Sequence, residues 1–183
     1  TAPCIGLAEL LCMEKDPQAT MVVMPADHVI EQTDAFCKSI QHAARLVEAV
    51  PGRIVTFGIP PSYPAETFGY IERGDRLDAN GDSFNGLTAF QVKQFREKPK
   101  AVIAERYLQE GTFYWNSGIF VWKAVTILGE LRKREPKMVA HLEAIAKRRG
   151  DEDFEKIFAK EFAAIEGVSI DYAVMEHAEE IIV

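Results

Sequence analysis

The run from Thr20 to Ile59 constrains the fold more than any other part of the chain. Thr20 to Met24 is a short apolar segment, Thr33 to Val50 carries Phe36, Ile40, Ala43, Ala44 and Val47 at helical spacing, and Arg53 to Ile59 is apolar again. Apolar runs of four to eight residues flanking a periodic stretch read as strand, helix, strand. Two buried strands joined by one helix normally lie parallel with a right-handed crossover, so a β-α-β unit is predicted here. Pro3 to Met13 reads as a helix ahead of it.

Beyond Gly58 the pattern changes. Pro60, Pro61 and Pro64 make an extended loop into the strand-like FGYIERGD, and DANGDSFNG is a polar turn region. AFQVKQFREKP is a long strand halted by Pro99, and Lys100 to Glu110 is helical. FYWNSGIFVWKA reads as a strand interrupted by Asn116, Ser117 and Gly118. Val125 to Lys160 holds two or three helices, and a short helix from Asp171 to Ala178 leads to the apolar Ile181 to Val183. Alternating strands and helices predict an α/β fold with a mixed sheet, and no repeat or linker divides residues 1–183, so one domain is expected.

Composition narrows the function. A hydrophobic share of 48% with 27% charged residues is ordinary for a globular protein, and a net charge of −7 argues against a nucleic-acid partner, which calls for a basic face. The basic runs Arg132 to Arg134 and Lys147 to Arg149 are each followed by a helix-ending Pro or Gly, so they read as cationic helix ends. Cys4, Cys12 and Cys37 form no CxxC pair, which fits a reducing cytoplasm better than a disulfide or zinc scaffold. No apolar run approaches the roughly 18 residues of a membrane span, so no membrane partner is expected. The sequence contains no G-x-G-x-x-G, P-loop, G-x-S-x-G or H-E-x-x-H motif.

Five short stretches carry candidate chemistry. VVMPADHVI delivers Asp27 to the carboxyl end of a strand, where open α/β sheets bind ligands and where a carboxylate can hold Mg2+. A carboxylate capping the following loop is the alternative. His28 beside it reads as a hydrogen-bonded structural group. Gly69 in FGYIERGD stands just ahead of a strand, either to admit a ligand close to the backbone or to make a turn. FREKP sets Glu97 and Lys98 at a strand end, pointing in alternate directions. The carboxylate can accept from vicinal sugar hydroxyls and the lysine can meet a phosphate, unless the two are an exposed ion pair. WNSG places Asn116 in an apolar strand, where backbone or a ligand hydroxyl must satisfy it. SIDYAVME puts Asp171 at or near a helix N-cap, or makes it a second metal carboxylate.

Taken in order, TAPCIGLA, VVMPADHVI, FGIPPSYPAETFGYIERGD, VKQFREKP, FYWNSGIFVWKA and SIDYAVME resemble the mannose-1-phosphate guanylyltransferases of the sugar nucleotidyltransferase superfamily. The resemblance spans nearly the whole chain and implies a Rossmann-like, GT-A-like mixed sheet flanked by helices. It implies Asp27 and Asp171 as carboxylates for the cofactor Mg2+, and Gly69, Glu97 and Asn116 as mannose contacts. Lys98 is implied as the catalytic contact to the sugar phosphate, and Thr1 and Ala2 as part of a loop beside the guanine base. The implied reaction transfers GMP from GTP to α-D-mannose 1-phosphate, giving GDP-mannose and pyrophosphate. An already ionised phosphate nucleophile needs positioning and cations more than a base.

The family's glycine-rich signature is not among these residues. On this reading the domain is partial, holds mainly the sugar-phosphate and metal half of the site, and is inactive or nearly so by itself. A sheet lacking that strand has an unpaired edge, so association into a homo-oligomer is expected. Two other readings stay open: a non-catalytic sugar-phosphate-binding or regulatory module of the same fold, and the same chemistry with glucose 1-phosphate or UTP.

Overall fold

A computed structural model describes residues 1–77 and 86–183, so all but the last residue of the DANGDSFNG segment lies outside the described residues. The chain forms two compact units. One comprises Thr1–Met21 and Lys123–His177, and the other Val22–Trp122 and Ala178–Val183.

The first unit is helical. Helix α1 (Ala2–Lys15) starts with Pro3 in its first turn, where a missing N–H costs nothing, and buries Ala2, Ile5, Gly6 and Glu9 along one face. It packs on α4 (Ala124–Arg134) and α5 (Pro136–Lys147), and α5 packs on α6 (Phe154–Ala163). Helix α4 buries Ala124, Ile127, Leu128 and Leu131, a stripe at spacings of three and four that faces a core. Gly6 allows tight packing, since a Cβ there would stand 2.8 Å from Leu142 Cδ1. The expected two or three helices between Val125 and Lys160 are these three. Both basic runs lie at helix ends with carboxylate partners: Arg132 with Glu143, Arg134 with Glu130, Arg148 with Asp151 and Arg149 with Glu14.

The second unit holds most of the sheet, all but Thr20, Met21 and Lys123 of its strand residues. Its strands are β1 (Thr20–Val23), β2 (Ile54–Ile59), β3 (Tyr70–Arg76), β4 (Phe90–Arg96), β5 (Phe113–Lys123) and β6 (Ile181–Ile182). Helix α2 (Thr33–Ala49) lays Ala43 and Val47 against Val55, Ala89, Val121 and Ile182, and α3 (Ala101–Glu110) buries Ala104 beside Tyr70 and Phe113. The strand order is β1-β5-β2-β6-β4-β3, and β3 also pairs with β5. The sheet is mixed, as expected: β2 runs antiparallel to β5 and parallel to β6.

Strand β5 lies between β1 and β2 in the sheet. Two local expectations are corrected. The WNSG residues do not interrupt β5. They are absorbed as a bulge, in which Thr56↔Phe120 is followed by Gly58↔Asn116 and Gly118 takes φ +72°. The REKP strand stops at Arg96, and Lys98 adopts φ +44°. Glu97 and Lys98 therefore do not alternate along a strand but turn toward each other, with Lys98 Nζ 2.7 Å from Glu97 Oε1.

Candidate functional site

The FGYIE and REKP segments are brought together by the loop that follows β2. Pro60, Pro61 and Pro64 keep that loop extended, and a tight turn forms where the Ala65 N–H donates to the Tyr63 carbonyl at 3.0 Å. Next along the chain, Glu66 Oε1 accepts from the Ala101 N–H at 2.9 Å, the first amide of α3. Glu66 thus supplies the N-terminal cap that Lys100 cannot, and it ties the approach to Gly69 to the chain just past Pro99.

Gly69 itself is closely surrounded. A Cβ there would stand 2.7 Å from Glu97 Oε2 and 3.5 Å from both Asn116 Cβ and Phe95 Cζ. Its carbonyl accepts from the Asn116 N–H at 2.8 Å. Two of the residues singled out in the sequence, Glu97 and Asn116, therefore converge on the bare α-carbon of a third, Gly69. The Glu97 side chain is only 9% exposed, whereas that of Lys98 is 57% exposed. One carboxylate oxygen is held by the lysine and the other faces Gly69, so the acceptor lies inside and the cation outside.

Asn116 is fixed from the strand side. Thr56 Oγ1 lies 2.9 Å from Asn116 Oδ1 and 3.0 Å from the Ile119 carbonyl, and the Gly118 N–H donates to Asn116 Oδ1 at 3.3 Å. The bulge makes that last contact, since Gly118 in its left-handed conformation turns its N–H back toward Asn116. Aromatic rings flank the cluster: Tyr63 and Phe68, both substantially exposed, stand edge-on to Trp115 at centroid distances of 5.0 and 5.1 Å. The buried Trp115 Nε1 and Tyr70 Oη have no hydrogen-bond partner among the described residues.

The sequence reading passed over Thr56, Glu66, Tyr63 and Phe68. Thr56 had a sequence cue, being a hydroxyl in the apolar run IVTFGI. Phe68 had one too, as a large ring immediately before the glycine. The role of Glu66 depends on a contact with Ala101 that no local pattern encodes.

The other candidates lie elsewhere. Asp27 belongs to the sheet unit and is exposed in a turn just beyond β1, with exposed His28 next to it. Pro25 of the same loop reaches the bulge, its Cγ 3.4 Å from where a Gly118 Cβ would be. Asp171 belongs to the helical unit, where it opens a single π-helical turn, Asp171–Met175, closed by the Glu176 N–H donating to the Asp171 carbonyl at 3.0 Å. Asp171 is not the cap of this turn. Ser169 Oγ accepts from the Tyr172 N–H at 3.2 Å in that role. Thr1 Oγ1 accepts from the Ile170 N–H at 2.9 Å, which joins the TAP segment to the SID segment. Ala2 is fully buried, and its N–H donates to the Val168 carbonyl.

Among the described residues no group of three or more His, Cys, Asp or Glu side chains is gathered as a metal site. Mg2+ does not require one, since it keeps several waters and takes one or two carboxylates along with substrate phosphates. Each of Asp27, exposed, and Asp171, partly exposed, offers the kind of oxygen donor that such an ion takes. No described helix is long and apolar enough to cross a membrane.

The chain has counterparts among known proteins. The sequence model of the nucleotidyl transferase family matches residues 1–161. A mannose-1-phosphate guanylyltransferase of Salmonella montevideo is 41% identical over 184 residues, an alignment covering all of this chain and 38% of the relative. Among solved structures, a mannose-6-phosphate isomerase from Helicobacter pylori matches at TM-score 0.79 and 32% identity, over 99% of this chain and 66% of that one. A mannose-1-phosphate geranyltransferase from Thermus thermophilus matches at TM-score 0.78 and 27% identity, over 100% of this chain and 48% of that one. The chain thus spans well under half the length of the curated relative. With a mixed α/β sheet and a family match across most of its residues, this chain belongs to the nucleotidyl transferase family.

Proposed function

We propose that this chain provides the sugar-phosphate and metal-binding part of an enzyme that transfers GMP from GTP to α-D-mannose 1-phosphate. In that reaction a phosphate oxygen of the sugar phosphate attacks the α-phosphorus of GTP. A new P–O bond forms, the bond to the β-phosphate bridge breaks, and pyrophosphate leaves with its electron pair. The attacking oxygen is already ionised, so the protein's task is placement and charge neutralisation.

The observation that carries the reading is the convergence of Glu97 Oε2 and Asn116 on the bare α-carbon of Gly69. A carboxylate accepts from sugar hydroxyls, and a glycine lets the sugar ring approach the backbone closely. Lys98, paired with Glu97 yet largely exposed, turns its ammonium to the sugar phosphate. Thr1 and Ala2 are assigned to the guanine side, and Asp27 and Asp171 are assigned to Mg2+. That ion, when bound, supplies charge neutralisation at the α-phosphate. Free Cys4, Cys12 and Cys37 suit a cytoplasmic setting.

Calorimetric titration of mannose 1-phosphate in the presence of Mg2+ tests the proposal. Saturable binding is expected for the wild type, weakened about tenfold in Glu97→Gln, where a charged acceptor is lost. Absence of binding by the wild type, or equal affinity for inorganic phosphate, would overturn the sugar-phosphate reading. Equal Mg2+-dependent binding by Asp27→Asn would remove Asp27 from the metal assignment.

A further inference from the structure

We propose that Glu66 is a positioning residue: it clamps the far side of the turn at Lys98 and Pro99, and the clamp keeps the Glu97 carboxylate and the Lys98 ammonium together beside Gly69. That the cluster takes a sugar phosphate rests on the reading above. The clamp itself does not.

Glu97 and Lys98 are consecutive, and along an extended strand their side chains would point to opposite sides. They meet because Lys98 adopts φ +44°, which brings its Nζ to 2.7 Å from Glu97 Oε1. Two preferences oppose that backbone. A residue with a Cβ seldom takes positive φ, and a residue before proline is pushed toward extended conformations by the ring that follows it. A turn of this kind persists only where the chain on both sides over-determines it.

Upstream, the sheet does so, since Arg96 pairs with Tyr70 and Phe95 with Ile71. Downstream, the chain enters α3 at once, and the Lys100 carbonyl accepts from the Ile103 and Ala104 N–H groups at 2.8 and 3.0 Å. Those bonds tie the helix to its own first turn. The bond that reaches outside it is the one from the Ala101 N–H to Glu66 Oε1, at 2.9 Å. Ala101 stands three residues after Lys98 and Glu66 three before Gly69, so this bond fastens the two segments that meet at the glycine.

A helix cap alone has a simpler solution. Ser, Thr, Asp or Asn at position 100 would supply one, yet the chain carries Lys100 there, extended at φ −66° and ψ 152° and without a side-chain cap. The acceptor comes instead from 35 positions earlier, out of the loop that delivers Gly69.

The test separates a clamp from a cap. Glu66→Ala removes both. Adding Lys100→Ser restores a cap local to α3 without the link to the Gly69 segment. Glu66→Gln keeps the link through a neutral oxygen of the same reach. The first readout is ligand-free: the backbone amide signals of Glu97 and Lys98 in nitrogen-15 correlated spectra. They are expected to hold their positions in Glu66→Gln and to shift or broaden in Glu66→Ala and in the double variant, while the urea midpoint lowered by Glu66→Ala recovers in the double variant. Signals that return together with the stability overturn the proposal, because Glu66 would then be a helix cap and nothing more. Signals unmoved in Glu66→Ala overturn it as well.

The second readout is mannose 1-phosphate binding, whose apparent affinity falls with the fraction of molecules that hold the turn closed. Glu66→Ala and the double variant are expected to bind about tenfold more weakly, and Glu66→Gln to stay within about threefold of wild type. Undiminished binding by the double variant, despite displaced signals, would overturn the claim that the clamp serves the ligand. Displaced signals in a protein whose wild type does not bind the sugar phosphate would support the clamp while refuting the function proposed above.

Discussion

In the helical unit Leu131, Leu142 and Ile145 are sealed from solvent while Arg132, Glu143, Arg149 and Glu14 pair at the surface; in the sheet unit Thr56, Ser117 and the Glu97 carboxylate go inward. Glu9, fully buried in α1, is the helical unit's one exception among the described residues. The first arrangement gains stability from hydrocarbon removed from water and little from exposed ion pairs. The second takes on the desolvation of polar groups and offsets it with specific partners: Lys98 for Glu97, Thr56 and Gly118 for Asn116. The difference indicates where a ligand belongs, since polar groups held inside a fold by a few fixed contacts are ready to exchange some of them for a ligand's.

The contrast can be tested most strongly at Leu142. This side chain is 0% exposed, and truncation to Ala is expected to cost about 3 kcal/mol through lost transfer energy and a residual cavity. Urea unfolding would measure it while leaving sugar-phosphate affinity unmoved. A cost below about 1 kcal/mol would mean that the helical core is loosely packed, and the comparison would fail.

Gly69→Ala should behave in the opposite way. The new methyl would meet the tip of Glu97, a flexible end that can move aside, so stability should fall by less than about 1 kcal/mol. The displaced carboxylate leaves the site altered, and mannose 1-phosphate affinity should drop at least about tenfold. Calorimetry and unfolding on the same sample give both numbers. Intact binding would detach Glu97 from any ligand.

The smallest expected effect is at the helical surface. The Glu161 carboxyl is held below its usual range chiefly by its hydrogen bond with His141, at 2.8 Å, with Lys160 adding to the effect. A lowered folded-state value means stability that is present above the ordinary carboxylate range and lost as the pH falls through the folded value. The melting temperature of wild type should therefore exceed that of Glu161→Gln near neutrality, and the gap should close in acid. A gap that is constant with pH would show that the pair contributes through packing alone.

What the sequence made legible follows the range of the forces involved. Helices α1, α2 and α3 and strand β2 begin and end within a residue or two of their predicted limits, because apolar spacing, Pro3, Pro99 and Gly111 act locally. The insertion of β5 between β1 and β2 was not legible, since it depends on which distant strand offers the better-matched edge. Nor was the left-handed backbone at Lys98, a conformation that side-chain type does not announce outside Gly, Asn and Asp. Gly69, Glu97, Lys98 and Asn116 were singled out by motif, and the structure assembles them around one glycine. Thr56, whose hydroxyl meets the Asn116 amide, was passed over although it stands out as the one hydroxyl in an apolar strand.

The placement of β6 carries a consequence for the order of assembly. Ile181 and Ile182 pair in parallel with Ile54 and Val55, and Ile182 also pairs with Gln91, so the slot between β2 and β4 stays vacant until residues past α6 have been synthesised. During translation, at about 5–20 residues per second, the ribosome completes every helix of the other unit before this seam can close. The nascent chain therefore spends several seconds with the facing edges of β2 and β4 open to chaperones.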